Sequence, residues 1–138
     1  MNIIISNSSQ EPIYEQIVRQ IKNMIMKGEI AEGEMLPSIR SLAKELQISV
    51  ITVKRAYQEL ENDGYIVTVH GKGSFIAVKN KELLREMRLK IVEEKLEEAV
   101  LAGKSIELSL EEMQEMLKIL YDRIVEIKEE MEKEIAQA

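Results

Sequence analysis

The chain has no cysteine and no tryptophan, one histidine (His70), one phenylalanine (Phe75) and two prolines among its 138 residues. Without cysteine there are no disulfides and no thiolate metal ligands. A single histidine cannot build a His-rich metal site, nor a Ser-His-Asp triad with a spare base. No nucleophile–base pair and no phosphate-binding loop stands out, so neither an enzyme nor a bound metal or cofactor is expected. The acidic pairs Glu93-Glu94, Glu97-Glu98 and Glu111-Glu112 fall on predicted helices, where they read as solvated faces. No apolar run approaches the roughly 20 residues needed to cross a bilayer. The N-terminus, MNIIISNSSQEP, lacks a basic region followed by an apolar stretch. The expectation is a cytoplasmic protein with no membrane partner.

What the chain has is apolar residues and charge: 45% hydrophobic, 32% charged, net −6. This length allows one domain, or a small domain with an appendage. An acidic total argues against nucleic acid, but the acid is unevenly placed. Residues 1–78 carry 8 Lys+Arg against 9 Asp+Glu, and residues 79–138 carry 11 against 16. Between Gln47 and Gln58 the charged residues are Lys54 and Arg55, both cationic. A locally basic face is therefore compatible with the overall sign.

The spacing predicts a short strand or extended arm over Asn2–Ser6. A helix follows at about 11–27, capped by Ser9, with Ile13, Ile17, Ile21, Met24 and Ile25 as its core stripe. Gly28 suits its C-terminal turn, next to the cation Lys27. GEIAEGEMLP reads as a loop. Ser38 then caps a short helix that buries Ile39, Leu42, Ala43 and Leu46. After the turn QIS, Ser49 caps a second helix, with Val53, Ala56, Tyr57 and Leu60 inward and Gly64 at its end. YIVTV and SFIAV flank the glycine-bracketed tip HGKG and read as a hairpin.

A helix, a tight turn, a second helix and a two-stranded ribbon make the layout of a winged helix-turn-helix, which sets a helix in the DNA major groove. Ser49, Val50, Ile51, Thr52, Lys54 and Arg55 lie at the start of the second helix. Ser49 and Thr52 can hydrogen-bond bases or phosphates. Lys54 and Arg55 can neutralise phosphates or bond guanine. Val50 and Ile51 suit thymine methyls, or else packing against the preceding helix. Arg40 projects from that preceding helix toward DNA, or else pairs with Glu34 or Glu45. Ser38 and Tyr57 complete the candidate DNA-binding residues of the two helices. At the ribbon tip His70, Gly71, Lys72 and Gly73 are the candidates, with glycines allowing close approach to a backbone or minor groove.

From Asn80 the composition turns to Glu, Lys, Leu, Met and Ile without proline. One helix is expected over 80–102, ending at Gly103, and a second over about 110–136 behind a Ser109–Glu112 capping box. Leu110, Met113, Leu117, Leu120, Ile124, Ile127 and Met131 follow alternating steps of 3 and 4, a heptad seam that needs a partner helix. Leu89, Val92, Leu96, Ala99 and Val100 could cover part of it within the chain. Leu84, Met87, Ile91, Met116 and Ile119 then remain to be buried, which implies a dimer interface, assigned to Leu84, Met87, Ile91, Met113, Leu117, Leu120, Ile124 and Ile127. A monomeric helical hairpin packed on the domain is the alternative. The tail is too small to enclose a ligand pocket in one chain. A cavity between two tails, lined by Met87, Met113 and Met116, is the remaining place for an effector, although methionine more often fills core gaps.

Three segments carry a family resemblance: PIYEQIVRQIKNMIMKGEIAEGEMLPSIRSLAKEL, SVITVKRAYQELENDGYI and HGKGSFI. Together they resemble the DNA-binding domain of GntR-family bacterial transcription regulators, over about half of the chain. The resemblance implies that Arg40 reads bases, that Thr52, Lys54 and Arg55 lie on the recognition helix, and that Gly71 sits in the minor groove. The sequence departs from the family at Lys54, where many members have Arg, and at Val50, where some do. The short tail is similar to that of the YtrA-type branch, which implies a homodimeric repressor, often of transporter genes.

The expected fold is mainly α with a small β-hairpin. Residues 1–78 form a winged helix-turn-helix and 79–138 a helical dimerisation tail. The expected function is sequence-specific binding of a double-stranded, palindromic DNA operator as a homodimer that regulates transcription, with no effector assignable. The alternative is a winged-helix protein-interaction module with a coiled-coil tail.

Overall fold

The stripe that begins at Ile13 winds into α1 (Ile13–Met26), and Ile17, Ile21 and Ile25 are fully buried along one side of it. The computed structural model describes residues 1–137. After α1 come α2 (Ile39–Leu46), α3 (Val50–Asn62), β1 (Ile66–Val69), β2 (Gly73–Ile76), α4 (Lys81–Ser105) and α5 (Leu110–Gln137). The chain divides into two compact units between Ile91 and Val92, so the first turns of α4 belong with the N-terminal unit.

In the first unit the core joins the α1 isoleucines to Leu42 and Ala43 of α2, Val53, Ala56, Tyr57 and Leu60 of α3, and Ile66 and Ile76 of the hairpin. Each fully buried aliphatic side chain is worth about 1.5–3 kcal/mol relative to exposure. The arm before α1 has no regular secondary structure, and Ile3 is buried in this core. Two glutamines one turn apart hold it. Gln20 accepts from Ile4 N and donates to Ile4 O, at 2.9 and 2.7 Å. Gln16 does the same for Ser6, at 2.9 and 3.0 Å. The side-chain amides replace the strand partner that the arm lacks. Ser9 does not cap α1. The N-cap is Pro12, without a side-chain cap, and Ser9 Oγ accepts from Glu11 N instead.

Helices α1 to α4 share one ending, in which paired 6→1 and 5→2 backbone bonds close the last turn around a left-handed residue. Gly28 and Gly64 take that position after α1 and α3, as expected. After α2 and α4 it falls to Gln47 (φ 56) and Glu107 (φ 59). The cation at the end of α1 is supplied by α4: Arg88 donates to Ile25 O at 2.8 Å and to Met26 O at 3.2 Å.

Two expectations about β structure change. The strands are shorter than YIVTV and SFIAV, pairing antiparallel with Val69 opposite Gly73. The stretch read as a loop before α2 contributes a third, minimal strand. Met35 bridges Phe75, Leu36 N donates to Ser74 O at 2.8 Å, and Ile76 N donates to Glu34 O at 2.9 Å. Glycine and charge masked a segment whose pairing partner is distant in sequence.

In the second unit α4 runs through Gly103 to Ser105 rather than stopping there. Gly103 is buried because Met113 of α5 packs on it: a Cβ at that position would lie 2.8 Å from Met113 Sδ. Ser109 caps α5 as expected, with reciprocal bonds to Glu112 N (3.1 Å) and from Ser109 N to Glu112 Oε1 (3.3 Å). Beyond this elbow the apolar faces are uncovered. Leu96 and Val100 on α4, and Leu117, Leu120, Ile124, Ile127 and Met131 on α5, are all exposed. An open apolar concavity of about 470 Å³ lies at the elbow, with Leu96, Val100, Gly103, Leu108, Met113 and Leu117 among its walls.

Candidate DNA interface

The turn between α2 and α3 is built by caps on both sides. Ser38 Oγ accepts from Ser41 N and Ser49 Oγ from Ile51 N, each at 3.1 Å. Gln47 in the left-handed region reverses the chain between them. Each cap satisfies a helix N–H that would otherwise lack a partner and is worth about 1 kcal/mol. Ser38 and Ser49 therefore have local structural tasks, whatever else they touch.

Packing Val53, Ala56, Tyr57 and Leu60 inward leaves the other side of α3 in solvent. Val50 is 46% exposed and Ile51 78%, so Ile51 does not pack against α2. Lys54 and Arg55 are exposed, and Thr52 is half-buried beside them. Arg40 is exposed on α2. Among the described residues it makes no ion pair, so the alternative pairing with Glu34 or Glu45 does not occur. Lys54, Arg55 and Lys72 are likewise outside every ion pair of the described residues. Arg55 is instead stacked on an aromatic ring, its guanidinium carbon 3.8 Å from the Tyr14 centroid.

Tyr57 requires a correction. It is 3% exposed and its hydroxyl donates to Pro37 O at 2.8 Å. Burial pushes its phenol well above the usual range, so it stays a neutral donor. A side chain enclosed in this way holds α3 against the segment before α2 and has no face to offer a ligand. The signal was present in the sequence, since Tyr57 lies on the inward stripe with Val53 and Leu60.

The hairpin tip projects into solvent, with His70, Gly71, Lys72 and Gly73 all exposed. Gly71 (φ +78) and Gly73 (φ +131) occupy conformations that favour glycine. The hairpin is fastened to α3 where Glu61 accepts from Thr68 N at 3.1 Å, and it is braced internally by a 3.1 Å Thr68–Ser74 hydroxyl pair. Its tip is thus carried on the helix whose first turn is the other exposed surface.

A capped helix-turn-helix followed by an anchored hairpin is matched by a family model. Residues 13–76 match the bacterial regulatory proteins of the gntR family. The chain is 36% identical over 116 residues to the HTH-type transcriptional repressor YtrA of Bacillus subtilis, covering 84% of this chain and 89% of that one. The chain belongs to the GntR family. It is a DNA-binding transcription regulator and not an enzyme, and the double helix is its partner. This removes the protein-docking alternative. Two solved structures are similar to it. The transcriptional antiterminator of Listeria monocytogenes EGD-e is 38% identical, covers 88% of this chain and 90% of its own, and superposes with a TM-score of 0.57. YtrA of Sulfolobus acidocaldarius is also 38% identical, covers 68% and 96%, and gives 0.53. Beyond the matched residues the GntR regulator carries two helices, α4 and α5. Among its described residues no helix is long and apolar enough to cross a membrane, and no group of His, Asp and Glu side chains could hold a metal.

The candidate interface of the C-terminal helices is divided by the fold. Leu84 packs against the core of its own N-terminal unit, and Met87 lines a small groove there with Tyr65, Val78 and Leu83. Leu84 is half-buried there, so part of its apolar surface is already covered by its own unit. Ile91 is half-buried. Met113 is half-buried against Gly103. Leu117, Leu120, Ile124 and Ile127 remain as uncovered apolar surface.

Proposed function

We propose that the protein is a cytoplasmic homodimeric repressor that binds a palindromic operator through residues 1–78 and dimerises through residues 79–138. The observation that carries this is the uncovered seam of α5. Leu117, Leu120, Ile124, Ile127 and Met131 stand in solvent along one helix, at a spacing that suits knobs-into-holes packing. An apolar stripe of this length is unfavourable in water, and burial against a second copy removes it from solvent.

Two copies related by a two-fold axis present two α3 helices to half-sites about one helical turn apart. Arg40, Ser49, Val50, Thr52 and Lys54 act in the major groove, together with Ile51, whose exposed side chain suits a thymine methyl. Arg55 adds positive charge, while His70, Gly71, Lys72 and Gly73 approach the minor groove. Occupying a promoter in this way blocks transcription, and transporter genes are the expected targets from the YtrA-type resemblance. The reading is tested by selecting bound genomic fragments from the host and measuring binding to the recovered site. The expected result is two chains per imperfect palindrome, with affinity falling steeply as salt rises. Equal affinity for random duplex at every salt concentration would remove the claim of specificity, and one chain per site would remove the dimer.

A further inference from the structure

With α3 docked in a major groove, Arg55 could read a base or contact a phosphate, and its surroundings separate these two roles. Arg55 lies more than one turn beyond the start of α3, on the side that faces α1. Its guanidinium rests on the ring of Tyr14, in the first turn of α1. That ring is half-buried at the edge of the core, and its hydroxyl donates to Glu15 Oε1 at 3.1 Å. Glu15 and Glu59 are the carboxylates that act on this ring, yet neither forms an ion pair with Arg55 among the described residues. A stacked guanidinium keeps its in-plane N–H donors available, whereas a lysine in the same place would not lie flat on the ring.

We propose that Tyr14 is a positioning residue for DNA binding, holding the Arg55 guanidinium beside α1 so that its planar fork meets a backbone phosphate at the edge of the major groove. A side chain tethered to α1 does not reach the groove floor, which is left to the first turn of α3 and to Arg40. Arg55 then contributes affinity and salt dependence but no sequence preference. This rests on the docking of α3 in a major groove.

The test uses the full chain, a duplex carrying the operator recovered from genomic selection, and a set of its single-base variants, titrated over a salt series. Arg55→Ala is expected to weaken binding to all variants by a similar factor and to reduce the slope of log K against log salt by about 1 per half-site. Tyr14→Leu keeps apolar contact but removes the π face, and is expected to weaken binding about three-fold per half-site. Tyr14→Phe keeps the ring and is expected to bind like the wild type. In an Arg55→Ala background, Tyr14→Leu is expected to have no further effect, which separates positioning from a general loss of structure. The proposal is overturned if Arg55→Ala changes the preference at one base pair. It is equally overturned if Tyr14→Leu binds normally, or still weakens binding once Arg55 is gone. A wild-type protein that fails to distinguish operator from random duplex defeats the docking reading itself, and this proposal with it.

Discussion

The Tyr57 hydroxyl donates a 2.8 Å hydrogen bond to the carbonyl of Pro37, tying the middle of α3 to the residue before the Ser38 cap. Removing it leaves a carbonyl unpaired beside the core. Tyr57→Phe is expected to lower unfolding stability by about 1 kcal/mol, as measured by denaturant titration. It should also alter the alkaline limb. Burial raises the folded-state pKa of this phenol, so the unfolded chain loses its proton first, near pH 10. Wild-type stability therefore falls as pH rises above about 10, and the variant should lack that component. An unchanged alkaline limb in Tyr57→Phe would show that Tyr57 is solvated.

Arg40 stands exposed on α2, outside every ion pair of the described residues. Arg40→Ala should cost about 1–3 kcal/mol in operator binding and relax the preference at one base pair. The fold and the oligomeric state should not change. Fluorescence anisotropy on operator variants, with sedimentation velocity on the same sample, measures both. Normal operator affinity in the variant would assign Arg40 to the surface alone.

Ile51 is 78% exposed at the start of α3. An apolar side chain placed there can gain free energy from DNA by covering a thymine methyl. Replacing thymine by deoxyuridine at successive operator positions deletes one methyl at a time. One such position should weaken the wild type several-fold, on the order of 1 kcal/mol for a buried methyl-sized group, and leave Ile51→Ala unaffected. If no position behaves in this way, Ile51 is a bystander.

Ile124 and Ile127 occupy consecutive seam positions on α5, and both are exposed in one chain. Changing both to Lys should place like charges across the proposed two-fold interface and convert the protein to a monomer in sedimentation equilibrium. Operator affinity should fall by at least 100-fold, an estimate on the scale of avidity gains. The helical signal of the N-terminal unit should persist. A dimer that survives both charges would mean that another surface pairs the chains.

The helices, the hairpin and the Ser38, Ser49 and Ser109 caps could be read from the sequence because their causes are local. Ile17, Ile21 and Ile25 repeat at helical spacing, Ser38 and Ser49 stand before apolar periodic runs, and Gly71 and Gly73 bracket Lys72. The heptad seam was equally legible, since Leu117, Leu120, Ile124 and Ile127 need only a count of steps. The errors share a different origin. Gly103 reads as a helix stop, yet the helix continues through it and Met113 packs into the space that the missing side chain leaves. Glu34–Leu36 looked like loop because its strand partners, Ser74 and Ile76, are distant in the chain.

What the sequence by itself determined is where helices and turns fall, which faces are apolar, and that the acid is concentrated away from α3. Periodicity, capping chemistry and charge count act within a few residues of one another, so a linear reading reaches them. Tertiary structure decided which of two roles each amphipathic side chain takes. Tyr57 turned inward to Pro37, Leu84 joined the core of its own unit, Arg88 closed the end of α1, and Arg55 settled on Tyr14. Each of these side chains has both an apolar body and a polar or mobile end, or sits where two surfaces compete for it. Its place depends on which partner the fold brings within reach, and that distance is not written in sequence separation.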